Sequence, residues 1–229
     1  MVQRLSRQEV SDAVTELGWR YILGLVRTSV QVDSLAQAAD LAVQITAAAG
    51  DDANGSLWMD LRRDRLILSV QSLADAGVTP REVDLVRRIS AAAAELGQRL
   101  DPAVGAPGPR ADQVLEIAID ALEIGRIREF WKAVFAYQDE PGAAGPEDAL
   151  VDPVGQGPAI WFQQMDAPRP QRNRIHFDIS VPHDEAASRI EAAIAAGGVL
   201  LSDAEAPAFW VLADAEGNEA CITTWQGRD

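Results

Sequence analysis

A cluster of prolines and glycines at residues 101–110 divides this chain of 229 residues. The stretch reads Asp-Pro-Ala-Val-Gly-Ala-Pro-Gly-Pro-Arg. Proline lacks the backbone N–H that helices and central strands require, so neither kind of element continues through this stretch. Most of the excess negative charge of the chain lies beyond it. We therefore predict two domains, residues 1–100 and 111–229, joined by a linker at 101–110.

The charge of the chain argues against two classes of partner. With 35 acidic and 20 basic residues, its formal net charge is -15 at pH 7. Nucleic acids and anionic membranes are both bound through clustered lysine and arginine, so we expect neither as a partner. The polar N-terminus lacks the apolar segment of a signal peptide. The chain has a single cysteine, Cys221, so it cannot form an internal disulfide. Because proteins of the reducing cytosol rarely contain disulfides, we predict a cytoplasmic protein.

The first half carries two helix-start signals. Ser6 precedes Glu9 by three residues, and Thr79 precedes Glu82 by the same spacing, with Pro80 at the first helical position. This spacing is typical of capping boxes, in which the two side chains satisfy backbone donors at a helix N-terminus. The predicted order is helix, strands, helix, hairpin, helix, which is typical of an α+β fold.

The second half contains an internal repeat, which predicts a duplicated fold. A strand predicted at Val114–Asp120 precedes a helix at 123–135, and a strand at Arg174–Val181 precedes a helix at 184–196. Further strand-like segments follow each helix. The composition of Asp214–Asn218 is typical of a turn.

Residues 111–226 resemble the vicinal-oxygen-chelate superfamily, which includes glyoxalase I, extradiol dioxygenases and bleomycin-resistance proteins. The resemblance rests on the duplicated order of elements, on Phe130-Trp131, on the stretch 172–178 and on the stretch 214–219. It implies two βαβββ modules that form a cupped sheet around one pocket.

The resemblance also implies a set of site residues. In metal-dependent members, two strands of each module supply one ligand each, usually His or Glu. The first-strand positions correspond to Glu116 and His176, and the closing strands offer Gln163, or Gln164 in the other register, and Cys221. This set departs from the usual two His and two Glu. A divalent metal held by Glu116 and His176 is therefore one interpretation, and a pocket without metal is the other.

Without a metal, His176 and Glu116 form a candidate catalytic pair. A neutral imidazole hydrogen-bonded to a carboxylate orients a ligand or serves as a general base. Asp178 shares a strand face with His176 by alternation, and Trp161 is either a core residue or the floor of the pocket. The candidate ligand-binding residues are Gln163, Asp178, Trp161 and Cys221.

Residues 5–96 resemble pterin-4a-carbinolamine dehydratase, through Trp58-Met-Asp-Leu and the stretch 76–84. The resemblance implies helices on one face of a four-stranded antiparallel sheet. The family's catalytic His-His-Pro and Thr-His-Asp are replaced here by Asn54-Gly55-Ser56 and Ser72-Leu73-Ala74. Residues 1–100 contain no histidine, the side chain suited to proton transfer near neutral pH. We expect the scaffold to be retained and the dehydratase activity to be lost.

These resemblances imply an enzyme that acts on a small molecule in the second domain, of lyase, isomerase or dioxygenase type. A binding or resistance protein that carries out no chemistry is the alternative, and an active pterin dehydratase is a second, disfavoured one. The sequence leaves open whether the chain is an enzyme and whether it forms a homodimer. The expected partner is a small-molecule ligand.

Overall fold

The computed structural model describes residues 4–102, 114–168, 177–224 and 226–227. The chain separates into two compact units, Met1–Val114 and Leu115–Asp229. Most of the predicted linker at 101–110 lies outside the described residues. Within the described ranges, no helix is both long enough and apolar enough to cross a membrane.

The first unit is an antiparallel sheet with helices packed against it. Its strands lie in the order β1-β2-β4-β3, and its buried core includes Trp19, Ile45, Leu68 and Ile89. The elements are α1 (Arg7–Val14), β1 (Arg20–Ile22), β2 (Leu25–Gln31), α2 (Leu35–Ala49), α3 (Ala53–Ser56), β3 (Leu57–Leu61), β4 (Arg65–Val70) and α4 (Pro80–Glu95).

Both predicted capping boxes are present in this unit. The Ser6 hydroxyl accepts from the Glu9 N–H, and the Glu9 carboxylate accepts from the Ser6 N–H at 2.8 Å. Thr79 and Glu82 form the same arrangement at the start of α4. Helix α1 ends at Val14, and a single 3₁₀ turn at Thr15–Leu17 separates it from Gly18.

The second unit contains the predicted repeat. Module one comprises β5 (Glu116–Ala121), α5 (Ile124–Phe135), β6 (Gln138–Asp139), β7 (Leu150–Val151) and β8 (Ala159–Gln164). Module two comprises β9 (Phe177–Ser180), α6 (Ala186–Ala195), β10 (Val199–Ser202), β11 (Phe209–Ala213) and β12 (Glu219–Thr223). Each module places its first strand parallel to its fourth, in the orders β5-β8-β7-β6 and β9-β12-β11-β10. The shared topology confirms the α+β fold with two βαβββ modules.

The two modules share one hydrophobic core. Phe130 and Trp131 on α5 belong to the same buried cluster as Ile190 on α6 and Ile222 on β12. The ring of Phe177, on β9, packs edge-on against Trp131 with ring centroids 5.8 Å apart. The second unit therefore folds as one body, with a layer of helices on one side of its sheets.

Candidate functional site

Strand alternation gives module one two chemically different faces. Ile119 on β5 and Ile160 and Phe162 on β8 are buried against the helices. Because successive side chains of a strand point to opposite faces, the intervening residues face away from the helices.

Three of the predicted site residues lie on this outer face of module one. Glu116 is exposed at the start of β5, and Trp161 is half-buried in the middle of β8. Gln163 is exposed and pairs with Asp120 across the parallel strands. The face thus offers a carboxylate, an indole ring and an amide.

The pairing of β8 with β5 places the two glutamines, Gln163 and Gln164, on opposite faces of the sheet. Gln164 pairs with buried Ala121, so it has the opposite parity to Gln163. Its side-chain Nε2 donates to the carbonyl oxygens of Leu122 at 2.7 Å and Met165 at 3.0 Å. Gln164 therefore bonds to the backbone at the end of β8, and Gln163 is the glutamine that lies on the outer face.

Module two repeats this division of faces. Ala220 and Ile222 of β12 are buried against the helices, whereas Cys221 has the opposite parity and pairs with exposed Asp178 of β9. Further along, the hydroxyls of Ser180 and Thr223 lie 2.8 Å apart. The outer face of β9 and β12 is thus mostly polar, although Cys221 itself is largely shielded from solvent.

The remaining predicted residue, His176, lies outside the described residues. Its pairing with Glu116, and the convergence of the two outer faces on one ligand, therefore stay predictions. Among the residues that the structure describes, no group of three or more His, Cys, Asp or Glu side chains is placed to hold a metal ion. The other histidine, His183, is exposed just before α6.

The Asp214–Asn218 turn is held to α5 by a set of hydrogen bonds, which we call the clamp. The sequence analysis predicted the turn but not these hydrogen bonds. Asp214 is buried, and one of its oxygens accepts hydrogen bonds from the Trp131 Nε1 at 2.9 Å and the Asn218 Nδ2 at 2.8 Å. Its other oxygen accepts from the backbone N–H groups of Glu216 and Asn218, both at 2.9 Å. One carboxylate thus shapes the turn and anchors it to α5.

Glu216 extends this clamp to the N-terminus of α5. Its carboxylate accepts from the backbone N–H groups of Leu122 at 2.8 Å and Glu123 at 2.7 Å. A carboxylate at this position satisfies backbone donors and complements the positive end of the helix dipole. The turn of module two therefore holds the backbone between β5 and α5 of module one in place. This is the segment that follows the strand carrying Glu116.

A cleft of about 320 Å³ lies between the start of α5 and the loop after β6. Arg128 is buried beside it and donates to the Asp139 carboxylate at 2.5 Å. Hydrogen bonds from Lys132 and Arg128 hold the pKa of Asp139 below its usual value. Because Gly125, Arg128 and Glu129 of α5 line this cleft, it lies on the helix side of the sheet and not on the outer face.

In the first unit, the two stretches that replace the dehydratase histidines lie side by side. The Leu73 N–H donates to the Gly55 carbonyl at 3.0 Å, and the Gln71 N–H donates to the Ser56 carbonyl at 2.9 Å. Together with the first turn of α4, they line a cleft of about 200 Å³. The scaffold thus keeps a cleft where the sequence has lost the histidines.

Comparisons with known structures give matches to both halves of the chain. A glyoxalase/bleomycin resistance protein/dioxygenase family enzyme from Burkholderia phytofirmans is 20% identical, over 48% of this chain and 95% of that one, with a TM-score of 0.40. A fosfomycin resistance protein from Listeria monocytogenes is 12% identical, over 50% and 90% of the two chains, with a TM-score of 0.39. A transcriptional coactivator/pterin dehydratase from Brucella melitensis matches the N-terminal part. It is 19% identical over 40% of this chain and 99% of that one, with a TM-score of 0.36.

Comparison by sequence identifies the second half of the chain. No curated protein sequence matches the chain. The family model of the glyoxalase-like domain matches residues 116–223, which run from the first residue of β5 to the last residue of β12. Residues 116–223 therefore form a glyoxalase-like domain.

Proposed function

We propose that the glyoxalase-like domain binds a small molecule on the outer faces of its two sheets and converts it by acid–base chemistry. The observation that carries this proposal is the repeated division of faces. In both modules, apolar strand residues pack against the helices while Glu116, Gln163 and Asp178 point to the other side. Exposed polar side chains beside a half-buried tryptophan are the kind of surface that small-molecule sites use.

The proposed chemistry uses Glu116 and His176 as a pair. An imidazole near neutral pH takes up and releases a proton, and a neighbouring carboxylate orients the ring and stabilises its charged form. Trp161 contributes an apolar contact surface, and Gln163 offers one hydrogen-bond acceptor and two donors to orient the ligand. Proton transfer at one carbon or oxygen of the ligand is the reaction class that this set supports.

The described donor set does not fit the metal site typical of the superfamily. Gln163 supplies only a neutral amide oxygen, and Cys221 is largely shielded from solvent. A hard divalent cation prefers carboxylate and imidazole ligands at such positions. The proposed chemistry therefore uses no metal, and Glu116 and His176 are the two residues that would hold one.

A direct test is native mass spectrometry of the full chain after incubation with a metabolite extract. We expect one small molecule to be retained by the unchanged chain and lost in His176→Ala and Glu116→Gln. His183→Ala is the matched control, because it removes the other histidine at an exposed position. Retention by all variants would contradict the assignment of the site.

The same experiment separates the two classes of function. Conversion of the retained molecule over time supports an enzyme, whereas retention of the unchanged molecule supports a binding or resistance protein. The departure from the usual two-His, two-Glu set is the observation that favours the second candidate.

A further inference from the structure

Strand β10 forms an edge of the module-two sheet and carries an exposed apolar surface. In the described part of the chain it pairs with β11 on one side only, and all four of its residues are exposed. Val199 is 54% exposed, Leu200 39% and Leu201 53%, and Ile194 near the end of α6 is 43% exposed. We call these four side chains the β10 patch. Scattered exposed apolar residues are normal on a protein surface, whereas a contiguous group of them marks an interaction site.

The equivalent edge of module one is protected by charge. There the edge strand is β6, and its Asp139 carboxylate is ion-paired with Arg128 and Lys132. Charged side chains on an edge strand are a common protection against contact with other chains. Strand β10 has the same place in the repeat and contains no charged residue. The apolar edge is therefore a property of module two and not of the repeated fold.

The charge around the β10 patch indicates which partner it fits. Residues 192–202 contain no charged side chain, in a chain whose net charge is -15. In a two-fold contact between identical chains, each residue lies opposite itself or a near neighbour, so an acidic residue in the patch would face its own copy. Asp203 and Glu205 lie just beyond the patch. An unlike partner of an acidic protein would be attracted by carboxylates, which the patch lacks. The patch thus fits a second copy of this chain.

A β-bulge decides the form of this contact. Leu200 pairs with Leu212 and Ser202 pairs with Val211, so Leu201 is an extra residue with no partner position on β11. A bulge at a sheet edge interrupts the regular ladder that a further strand would continue. The exposed side chains, rather than a continued ladder of backbone hydrogen bonds, are therefore what the edge offers to a partner.

We propose that the β10 patch is the contact surface of a homodimer, in which two copies of the chain meet around a two-fold axis near Leu200. Val199 and Leu201 of one copy pack against the same side chains of the other, and Ile194 extends the contact along α6. Removal of these apolar side chains from water in both copies drives the association. The proposal does not depend on the site proposed in the glyoxalase-like domain.

The mass of the full chain in solution tests the contact. Sedimentation equilibrium at micromolar concentrations should give twice the chain mass for the unchanged chain. Leu201→Lys should raise the dissociation constant of the dimer about tenfold or more, because it places two like charges near the axis. Val154→Lys is the matched control, since Val154 is an exposed apolar residue outside the patch, and it should leave the dissociation constant unchanged. A monomeric unchanged chain, as expected if the patch takes a different protein, would overturn the proposal, and so would an unaltered dissociation constant in Leu201→Lys.

A pair of opposite charges tests whether the two patches face each other. Leu201→Lys and Leu201→Glu should each dimerise weakly alone, whereas an equal mixture should recover the dimer and so show that both variants fold. Hydrogen exchange in peptides covering 194–202 should slow as the concentration of the unchanged chain rises, and should not change in Leu201→Lys. A mixture that stays monomeric, or exchange at 194–202 that is independent of concentration in the unchanged chain, would contradict the contact.

Discussion

Replacing Asp214 with alanine tests the clamp that joins the two modules. The substitution removes an acceptor for four hydrogen bonds at a position that is 3% exposed. The Trp131 Nε1 then loses this acceptor in a core where the residue is 1% exposed. A buried donor left unsatisfied costs about 1–3 kcal/mol.

The loss of the turn adds to this cost. The hydrogen bonds to Glu216 and Asn218 have a charged acceptor, and each such bond contributes about 1.5–3 kcal/mol when it is isolated. Because water solvates the backbone donors once the turn opens, we expect the total to stay well below the sum. We predict that Asp214→Ala lowers the free energy of unfolding of the second unit by about 3–4 kcal/mol.

The assay must report on each unit separately, because a chain of two units need not unfold in one step. Urea denaturation followed by hydrogen-exchange mass spectrometry does so, since peptides from α5 and β12 report on the second unit. Asp203→Ala is the control, because that carboxylate is exposed and outside the clamp. A loss within about 0.5 kcal/mol of the control would refute the reasoning.

A double-mutant cycle isolates the tryptophan contact. Trp131→Phe keeps most of the ring packing and removes the N–H donor. In the Asp214→Ala background it should cost less than in the unchanged chain, by about 1 kcal/mol, because the orphaned donor is gone. Strict additivity would show that the hydrogen bond contributes nothing.

Four further outcomes are expected. Glu216→Ala should destabilise the start of α5 by about 1–2 kcal/mol, measured as faster amide exchange there, because two backbone donors lose their acceptor. Hydrogen bonds from Arg88 and Arg81 lower the pKa of Asp52 in the folded state, so its stabilising effect is complete above its unfolded pKa and is lost as the pH falls through the lowered one. Acid titration of the first unit from about pH 5 to pH 2 should therefore show a smaller loss of stability in Asp52→Asn than in the unchanged chain. In a coupled pterin assay the chain should give only the spontaneous rate of carbinolamine dehydration, and turnover well above that rate would contradict this. Limited proteolysis should cleave first at 101–110 and leave two resistant fragments, whereas resistance at that stretch would contradict the proposed boundary.

Features set by local chemistry could be predicted from the sequence. The capping boxes at Ser6 and Thr79 depend on residues three positions apart, and both occur in the structure. The helices of the second unit differ from their predicted bounds by two residues at most, because their apolar spacing is strong. The duplicated order of elements followed from the same periodicity.

Features set by pairing between distant segments could not be predicted. Whether Gln163 or Gln164 faces outward depends on the register with β5, which the sequence of β8 does not specify. Strands β6 and β7 are two residues each, too short to show any periodicity. The acceptor for the Trp131 indole lies 83 residues along the chain, so no local pattern indicates it.

The position of His176 tests the central claim most directly. A crystal structure of the full chain measures where its imidazole lies relative to the Glu116 carboxylate and to α5 and α6. We predict that both side chains lie on the outer faces of the sheets, with Gln163, close enough to contact one small molecule. An imidazole on the helix side of the sheet, or one pointing into solvent away from Glu116, would show that the register is wrong by one residue and would contradict the proposed site.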